Sequence, residues 1–267
     1  MNLKNYFKKA RKEKWAIGQF NFSTLEQLKA IFAAAQKMKS PVILGTSESE
    51  SSYLGMKEVI ALTEILNLKY KIPFSLNLDH GKDLKLIKKA IDFGYSAVHF
   101  DGSDLPLEKN IKYAKKIVEC ARKKDVFVES EMEEIGGGKL TSCEKAGYFL
   151  KETGADSLAV TIGNVHGIGR KVNLDFKLLK EIREKTETFL VLHGGSGISA
   201  TQIKKAVKFG IVKININTEL RILWKNTLAL CLKGKELKPY KILPEVQKRI
   251  QKKVEEKIKL FGSVNKI

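Results

Sequence analysis

The sequence predicts an α/β protein folded as a closed (β/α)8 barrel, the TIM barrel. Three observations predict it. Eight short apolar runs recur along the chain, helical periods separate them, and polar residues gather where the runs end. The length of 267 residues suits one domain spanning 1–267, because barrels of this kind run to about 250 residues. An open parallel sheet is the other arrangement that this alternation allows.

Taken in order, the strand candidates are 16–22 (AIGQFNF), 41–47 (PVILGTS), 74–79 (FSLNLD) and 97–102 (AVHFDG), then 126–131 (VFVESE), 157–163 (SLAVTIG), 188–194 (TFLVLHG) and 210–217 (GIVKININ). Helical periods lie between them. Residues 23–39 open with Ser23 and Glu26 at capping-box spacing. Leu25, Leu28, Ile31, Phe32, Ala35 and Met38 then form one apolar stripe. Residues 84–92, 107–124, 143–153, 174–185 and 199–208 repeat the pattern, and 245–260 is a lysine-rich amphipathic tail. Pro239 and Pro244 mark the turn into that last helix.

Composition narrows the function classes. Three cysteines, Cys120, Cys143 and Cys231, are odd in number and far apart, so neither a disulfide framework nor a thiolate metal knuckle is indicated. A reduced, cytoplasmic setting is expected. The first residues hold no apolar core of signal-peptide length, and no run approaches the roughly 18 apolar residues of a membrane span. The net charge of +19 is spread over helical segments, as at Lys82, Lys85, Lys88 and Lys89. Solvated helix faces, and a field that draws anionic small molecules, explain it better than nucleic acid does.

Buried parallel strands should read apolar throughout. Here the final residues turn polar: Asn77-Leu78-Asp79-His80, Asp101-Gly102-Ser103, Glu129-Ser130-Glu131, Asn164-Val165-His166, His193-Gly194-Gly195-Ser196 and Asn215-Ile216-Asn217-Thr218. In a barrel these ends converge on one mouth, where active sites of the fold are built. Three of the four histidines, His80, His166 and His193, fall there. Three imidazoles with an open fourth position make a catalytic zinc site. His99 lies within a strand and is expected to be structural. The glycines after the seventh run and the Asn215–Thr218 segment after the eighth suit a phosphate, held by backbone N–H groups.

At these residues the chain resembles the class II fructose- and tagatose-bisphosphate aldolases. The likeness runs through AIGQFNF, PVILGTSES, LNLDHG, FDGSDLPLEKNI, VESEMEEIGG, DSLAVTIGNVHG, LVLHGGSG, KININTEL and FGSVNKI. It implies that His80, His166 and His193 hold Zn2+, and that Asp79 exchanges the proton of the hydroxyl at the bond being cleaved. Glu131 and Asp101 match a second, more exposed metal position. Gly167, Gly194, Gly195, Ser196, Ile216, Asn217 and Thr218 would wrap the phosphate of dihydroxyacetone phosphate, with Na+ or K+ beside it. Asn215 would orient the enediolate, and Asn21 and Ser47 would line the mouth, Ser47 near the other phosphate. The implied reaction is reversible cleavage of fructose 1,6-bisphosphate, as in glycolysis and gluconeogenesis. The alternatives are tagatose 1,6-bisphosphate, or a degenerate relative that binds sugar phosphate with low activity. A homodimer or homotetramer with no nucleic-acid or membrane partner is implied too. The opposing chemistry, a lysine Schiff base, has one strand candidate, Lys213.

Two segments depart from the family pattern. Gly136-Gly137 runs into Gly138-Lys139-Leu140, so the loop is short and Lys139 stands where a proton-shuttling glutamate is expected; Glu133, Glu134 or Glu144 would have to replace it. Near the C-terminus an expected arginine is absent, which leaves Lys238 or Lys241 for the far phosphate.

Overall fold

The computed structural model describes residues 1–169 and 172–267. Eight parallel strands close into a barrel in chain order: β1 (Ile17–Asn21), β2 (Val42–Ser47), β3 (Phe74–Gly81), β4 (Ala97–Asp101), β5 (Phe127–Glu131), β6 (Ser157–Ala159), β7 (Phe189–Leu192) and β8 (Ile211–Ile216). β8 pairs back onto β1, with Gln19 opposite Asn215. The open-sheet alternative is thereby excluded. β6 is shorter than its apolar run, because the chain beyond Ala159 leaves the ladder for the 160–169 loop.

Strand side chains alternate between faces. Phe20, Leu44, Leu78, Val98, Phe100, Val128, Leu158, Leu190, Ile214 and Ile216 belong to the main apolar core. This core packs the outer face of the sheet against the helices. The residues between them point into the barrel, and there they are layered by chemistry. At the lower end, Ile17, Ile43, Ala97, Phe127, Phe189 and Val212 form a second apolar cluster. Above it the interior turns polar with Gln19, Asn77, His99, Glu129 and Lys213, all buried.

Helix α1 (Leu3–Glu13), not anticipated from the sequence, closes the lower end. Leu3, Phe7 and Ala10 are its buried face. The Phe7 ring meets Phe127 and Phe189 edge-on at 5.4 Å each. The other helices form the outer ring: α2 (Leu25–Met38), α3 (Glu48–Leu54), α4 (Met56–Tyr70), α5 (Leu84–Phe93), α6 (Leu107–Arg122), α7 (Cys143–Thr153), α8 (Phe176–Lys185), α9 (Ala200–Lys208), α10 (Thr218–Cys231) and α11 (Pro239–Phe261). Helices α3, α4 and α10 were likewise absent from the sequence reading. α4 leaves Ile65 and Leu68 exposed, and α10 leaves Ile222 and Leu230 exposed, which blurs their apolar stripes.

Two local expectations are corrected. The cap of α2 is Thr24, whose side chain accepts from the Gln27 N–H, while the Gln27 side chain accepts from the Ser23 N–H at 2.9 Å. The reciprocal cap therefore sits one residue later than Ser23 and Glu26 suggested. Pro239 opens α11, but Pro244 lies inside it. There its missing N–H removes only the bond to the Tyr240 carbonyl.

Candidate active site

The mouth at the C-terminal ends of the strands holds a cavity of about 400 Å³. It is lined by Asn21, Ser47, Asp79, His80, Asp101, Glu131, His166, Gly167, His193, Gly194, Ser196, Asn215, Asn217 and Thr218, all named from the sequence. Gly195 and Ile216 are not on its wall. Ile216 is fully buried in the outer core. Gly195 lies behind, where a Cβ would meet the Ile214 side chain at 2.6 Å.

Strict alternation would turn Asp79 inward and His80 outward. Two linked features turn both into the mouth. The β3–β4 register shifts between Leu78 and Gly81, and His80 takes a left-handed φ of +50°. Bulges re-aim side chains in this way. His80 then places Nδ1 at 3.1 Å from Asp101 Oδ2 and Nε2 at 3.0 Å from His193 Nδ1.

His193 is oriented from below. Its Nε2 lies 2.7 Å from Glu129 Oε1, and Glu129 Oε2 accepts from Lys213 Nζ at 2.8 Å. A proton on His193 Nε2 leaves Nδ1 with a lone pair. A proton on His80 Nδ1, shared with Asp101, likewise leaves Nε2 with one. Two facing lone pairs at 3.0 Å suit a cation between them, whether a proton or a metal ion. His80 is the ring that carries positive charge more readily, since burial outweighs Glu129 at His193 and holds its pKa down to about 3. Burial works against a charge on His80, but Asp79 and the hydrogen bond to Asp101 outweigh it and raise its pKa.

Asp79 is the pivot of the polar net. Asn21 donates to its Oδ2 at 3.0 Å and Asn215 to its Oδ1 at 3.1 Å. Burial alone would raise its pKa; His80 leads the groups that outweigh burial and hold the carboxyl well below the ordinary range. Asn21 is itself fixed by Gln19, at 3.2 Å, and donates to Glu50 at 3.0 Å. Glu131 is the opposite case: burial raises its pKa, and its Oε2 has no hydrogen-bond partner among the described residues.

These donors fit a divalent metal. One ligand atom from each of Asp79, His80, His99 and His193 lies within 4.8 Å of the others, and a second such group joins His80, Asp101 and Glu131. His166 stands apart from both groups. It is exposed in the loop after β6, its ring 5.1 Å from that of His80 and 6.4 Å from that of His193. His99, expected to be structural, instead packs its ring 4.7 Å from both His80 and His193. A histidine on the inward register of β4 was the available signal. Lys213 is buried and ion-paired, which removes the free amine that a Schiff base requires.

The opposite wall suits a phosphate. Gly194 has φ +66° and abuts the 163–167 loop so closely that a Cβ would meet Val165 O at 2.2 Å. The Gly195 N–H donates to Asn215 O at 3.1 Å, which ties the β7 and β8 loops together. Helix α10 starts at this wall, and Asn217 makes no side-chain cap bond to it. The Glu219 N–H donates to Ser196 Oγ at 3.3 Å, which brings the Ser196 hydroxyl and Thr218 together at the helix end that suits an anion.

Among the described residues, two cations rim the mouth. Lys82 is ion-paired to Asp104, and Arg221 pairs with Glu50 at 2.6 Å. Arg221 takes the place at the rim expected of Lys238 or Lys241. Neither lysine lines the cavity, and Lys241 pairs with Glu236 at 3.5 Å. Of the three glutamates weighed for the short loop, only Glu134 lines the cavity. Glu133 borders a neighbouring groove and Glu144 lies 3.8 Å from Lys185.

The chain is similar to known aldolases over nearly its whole length. A family model described as "Fructose-bisphosphate aldolase class-II" matches residues 1–266. A 6-phospho-5-dehydro-2-deoxy-D-gluconate aldolase of Shouchella clausii is 39% identical, over 96% of this chain and 92% of its own. A fructose-bisphosphate aldolase of Ureaplasma parvum is 38% identical, over 100% of this chain and 98% of its own. The crystal structure of the YdjI aldolase from Escherichia coli superimposes with a TM-score of 0.91 at 31% identity, over 99% of this chain and 98% of that one.

Proposed function

The chain belongs to the class II fructose-bisphosphate aldolase family, an aldehyde-lyase family that depends on a metal, and we propose that this member uses zinc to cleave fructose 1,6-bisphosphate into dihydroxyacetone phosphate and glyceraldehyde 3-phosphate. One observation carries the reading. A buried carboxylate held ionised, Asp79, stands beside two histidine nitrogens that face each other at 3.0 Å, across the mouth from a phosphate wall.

His80 and His193 would hold the metal, with His166 as the third imidazole. Asp101 and Glu131 supply a second set of donors with His80. When bound, zinc supplies Lewis acidity at the substrate's ketone, the electron sink that a retro-aldol reaction needs. The chain's own residues do the rest. Gly194, Ser196, Asn217 and Thr218 seat the phosphate next to that ketone, Gly167 borders it, and a monovalent cation beside it would share the charge. Asp79 takes the proton from the hydroxyl on the carbon of the breaking bond that lies farther from the ketone. The C–C bond opens, its electron pair moves toward the ketone, and the hydroxyl carbon leaves as an aldehyde. Asn215 orients the three-carbon half that stays behind. Glu134 is the carboxylate at the mouth that returns a proton to it.

A second substrate is favoured by the Shouchella clausii relative and by one from Bacillus subtilis of the same name. Retro-aldol cleavage of 6-phospho-5-dehydro-2-deoxy-D-gluconate releases the same dihydroxyacetone phosphate. Its aldehyde half ends in a carboxylate instead of a phosphate, and Arg221 would meet either. Release of dihydroxyacetone phosphate from these two substrates and from tagatose 1,6-bisphosphate, followed with a coupled NADH-dependent reductase, tests the assignment. Fructose 1,6-bisphosphate should give the highest kcat/KM. A higher value for the gluconate would transfer the assignment to it, and no release from any would refute the reading.

A further inference from the structure

His99 is fully buried inside the barrel, yet neither ring nitrogen serves the packing around it. Its Nδ1 accepts the backbone N–H of His80 at 3.1 Å. That N–H belongs to the residue with φ +50°, at the point where the β3–β4 register slips. A regular ladder would pair it with a β4 carbonyl. Here a side chain of β4 replaces the carbonyl. A non-glycine residue in this region costs of order 1 kcal/mol or more, and persists only where its surroundings hold it.

The other nitrogen has a different task. Because Nδ1 is an acceptor, the ring proton resides on Nε2. His99 Nε2 lies 3.4 Å from Glu131 Oε2, closer than His80 Nδ1 at 3.8 Å, and neither buried atom has a hydrogen-bond partner elsewhere among the described residues. His99 Nε2 is therefore turned toward Glu131 rather than available as a metal donor, although the ring belongs to the donor cluster.

We propose that His99 is a positioning residue of the metal centre, holding the left-handed backbone that aims His80 into the mouth and steadying Glu131 on the opposite side. This role rests on the metal-dependent reading given above. Removing the ring loosens two of the donors at once, with the His80 contact the more important, and does so without touching the metal or the substrate directly.

The test is metal affinity, measured on the full chain by competition with a chromophoric chelator, using Zn2+ and then Co2+ with its visible spectrum as a geometric reporter. His99→Leu keeps the volume and loses both contacts. It should weaken metal binding by about 10- to 100-fold, the range for a lost supporting contact. His99→Asn places an amide oxygen where Nδ1 stood, so it should recover most of the affinity and the wild-type Co2+ spectrum. His99→Gln mimics Nε2 instead and should stay weak.

A merely structural role predicts the opposite order, because leucine packs better than a buried amide. If the Leu variant does not fold, the Asn and Gln variants still decide, and equal affinities for the two overturn the proposal. A Leu variant within about threefold of wild type also overturns it. If the wild-type protein binds neither ion, the metal-dependent reading falls, and the role of His99 falls with it.

Discussion

Replacing Lys213 by methionine isolates the ion pair beneath the metal centre. Lys213 and Glu129 are each 2% exposed, and their charges meet at 2.8 Å. The variant keeps the length of the side chain and removes its charge. Glu129 then remains buried with His193 at 2.7 Å and a weak bond from Ser157 at 3.4 Å. Breaking a buried pair from one side costs about 3–5 kcal/mol, a large part of the roughly 5–15 kcal/mol that holds a native fold together. For a protein of this size that is a fall in Tm of roughly 6–20 °C.

Urea unfolding of the metal-free protein measures the change directly. The double variant Lys213→Met with Glu129→Leu removes both charges and should recover much of the loss. The pH dependence carries a sign. Burial pushes the Glu129 pKa up, but Lys213 and His193 outweigh it and hold the carboxyl below its ordinary range. Its stabilisation is therefore complete above the unfolded value of about 4.3 and fades as pH falls through the folded value. The gap between wild type and Lys213→Met should narrow below about pH 4.3. A single variant within about 1 kcal/mol of wild type, or a double variant no more stable than the single, would refute the reasoning.

Other substitutions separate the parts of the site. Asp79→Asn should lower kcat by about 10²- to 10⁴-fold while zinc content by elemental analysis stays near wild type; retained turnover would remove Asp79 from the proton path. Arg221→Met should raise KM about tenfold for substrates with a distal phosphate or carboxylate, since a charged hydrogen bond contributes about 1.5–3 kcal/mol, and should leave a ketose 1-phosphate unaffected. An equal loss for both substrates would place Arg221 outside the distal pocket. Phe7→Ala empties the plug between Phe127 and Phe189 and should cost about 3–5 kcal/mol in urea unfolding with KM unchanged; a change in KM would contradict the separation of the two ends of the barrel.

Much of the fold was legible because its signals are periodic. All eight strands fall on the apolar runs, and the helices with clean stripes were found. Helices α3, α4 and α10 were not, and α1 lies on a segment too charged to stand out, its buried face being only Leu3, Phe7 and Ala10. Site residues at strand ends were legible because polar groups there break the expected apolar pattern. The supporting groups were not. Glu129 stood among the polar strand ends and His99 and Lys213 within strands, but their roles follow only from closure of the barrel, which brings them together beneath the mouth. Arg221 escaped notice for a similar reason. Its place at the rim follows from an α10 helix that the sequence reading lacked.

The central claim is a metal-dependent aldolase centred on His80 and Asp79. The most direct test is zinc content together with fructose 1,6-bisphosphate cleavage on the purified protein, with and without a chelator, beside His80→Ala. About one zinc per chain, turnover abolished by the chelator and restored by zinc, and neither metal nor turnover in the variant is the result this account predicts. Full turnover in a metal-free protein, or in His80→Ala, would contradict it.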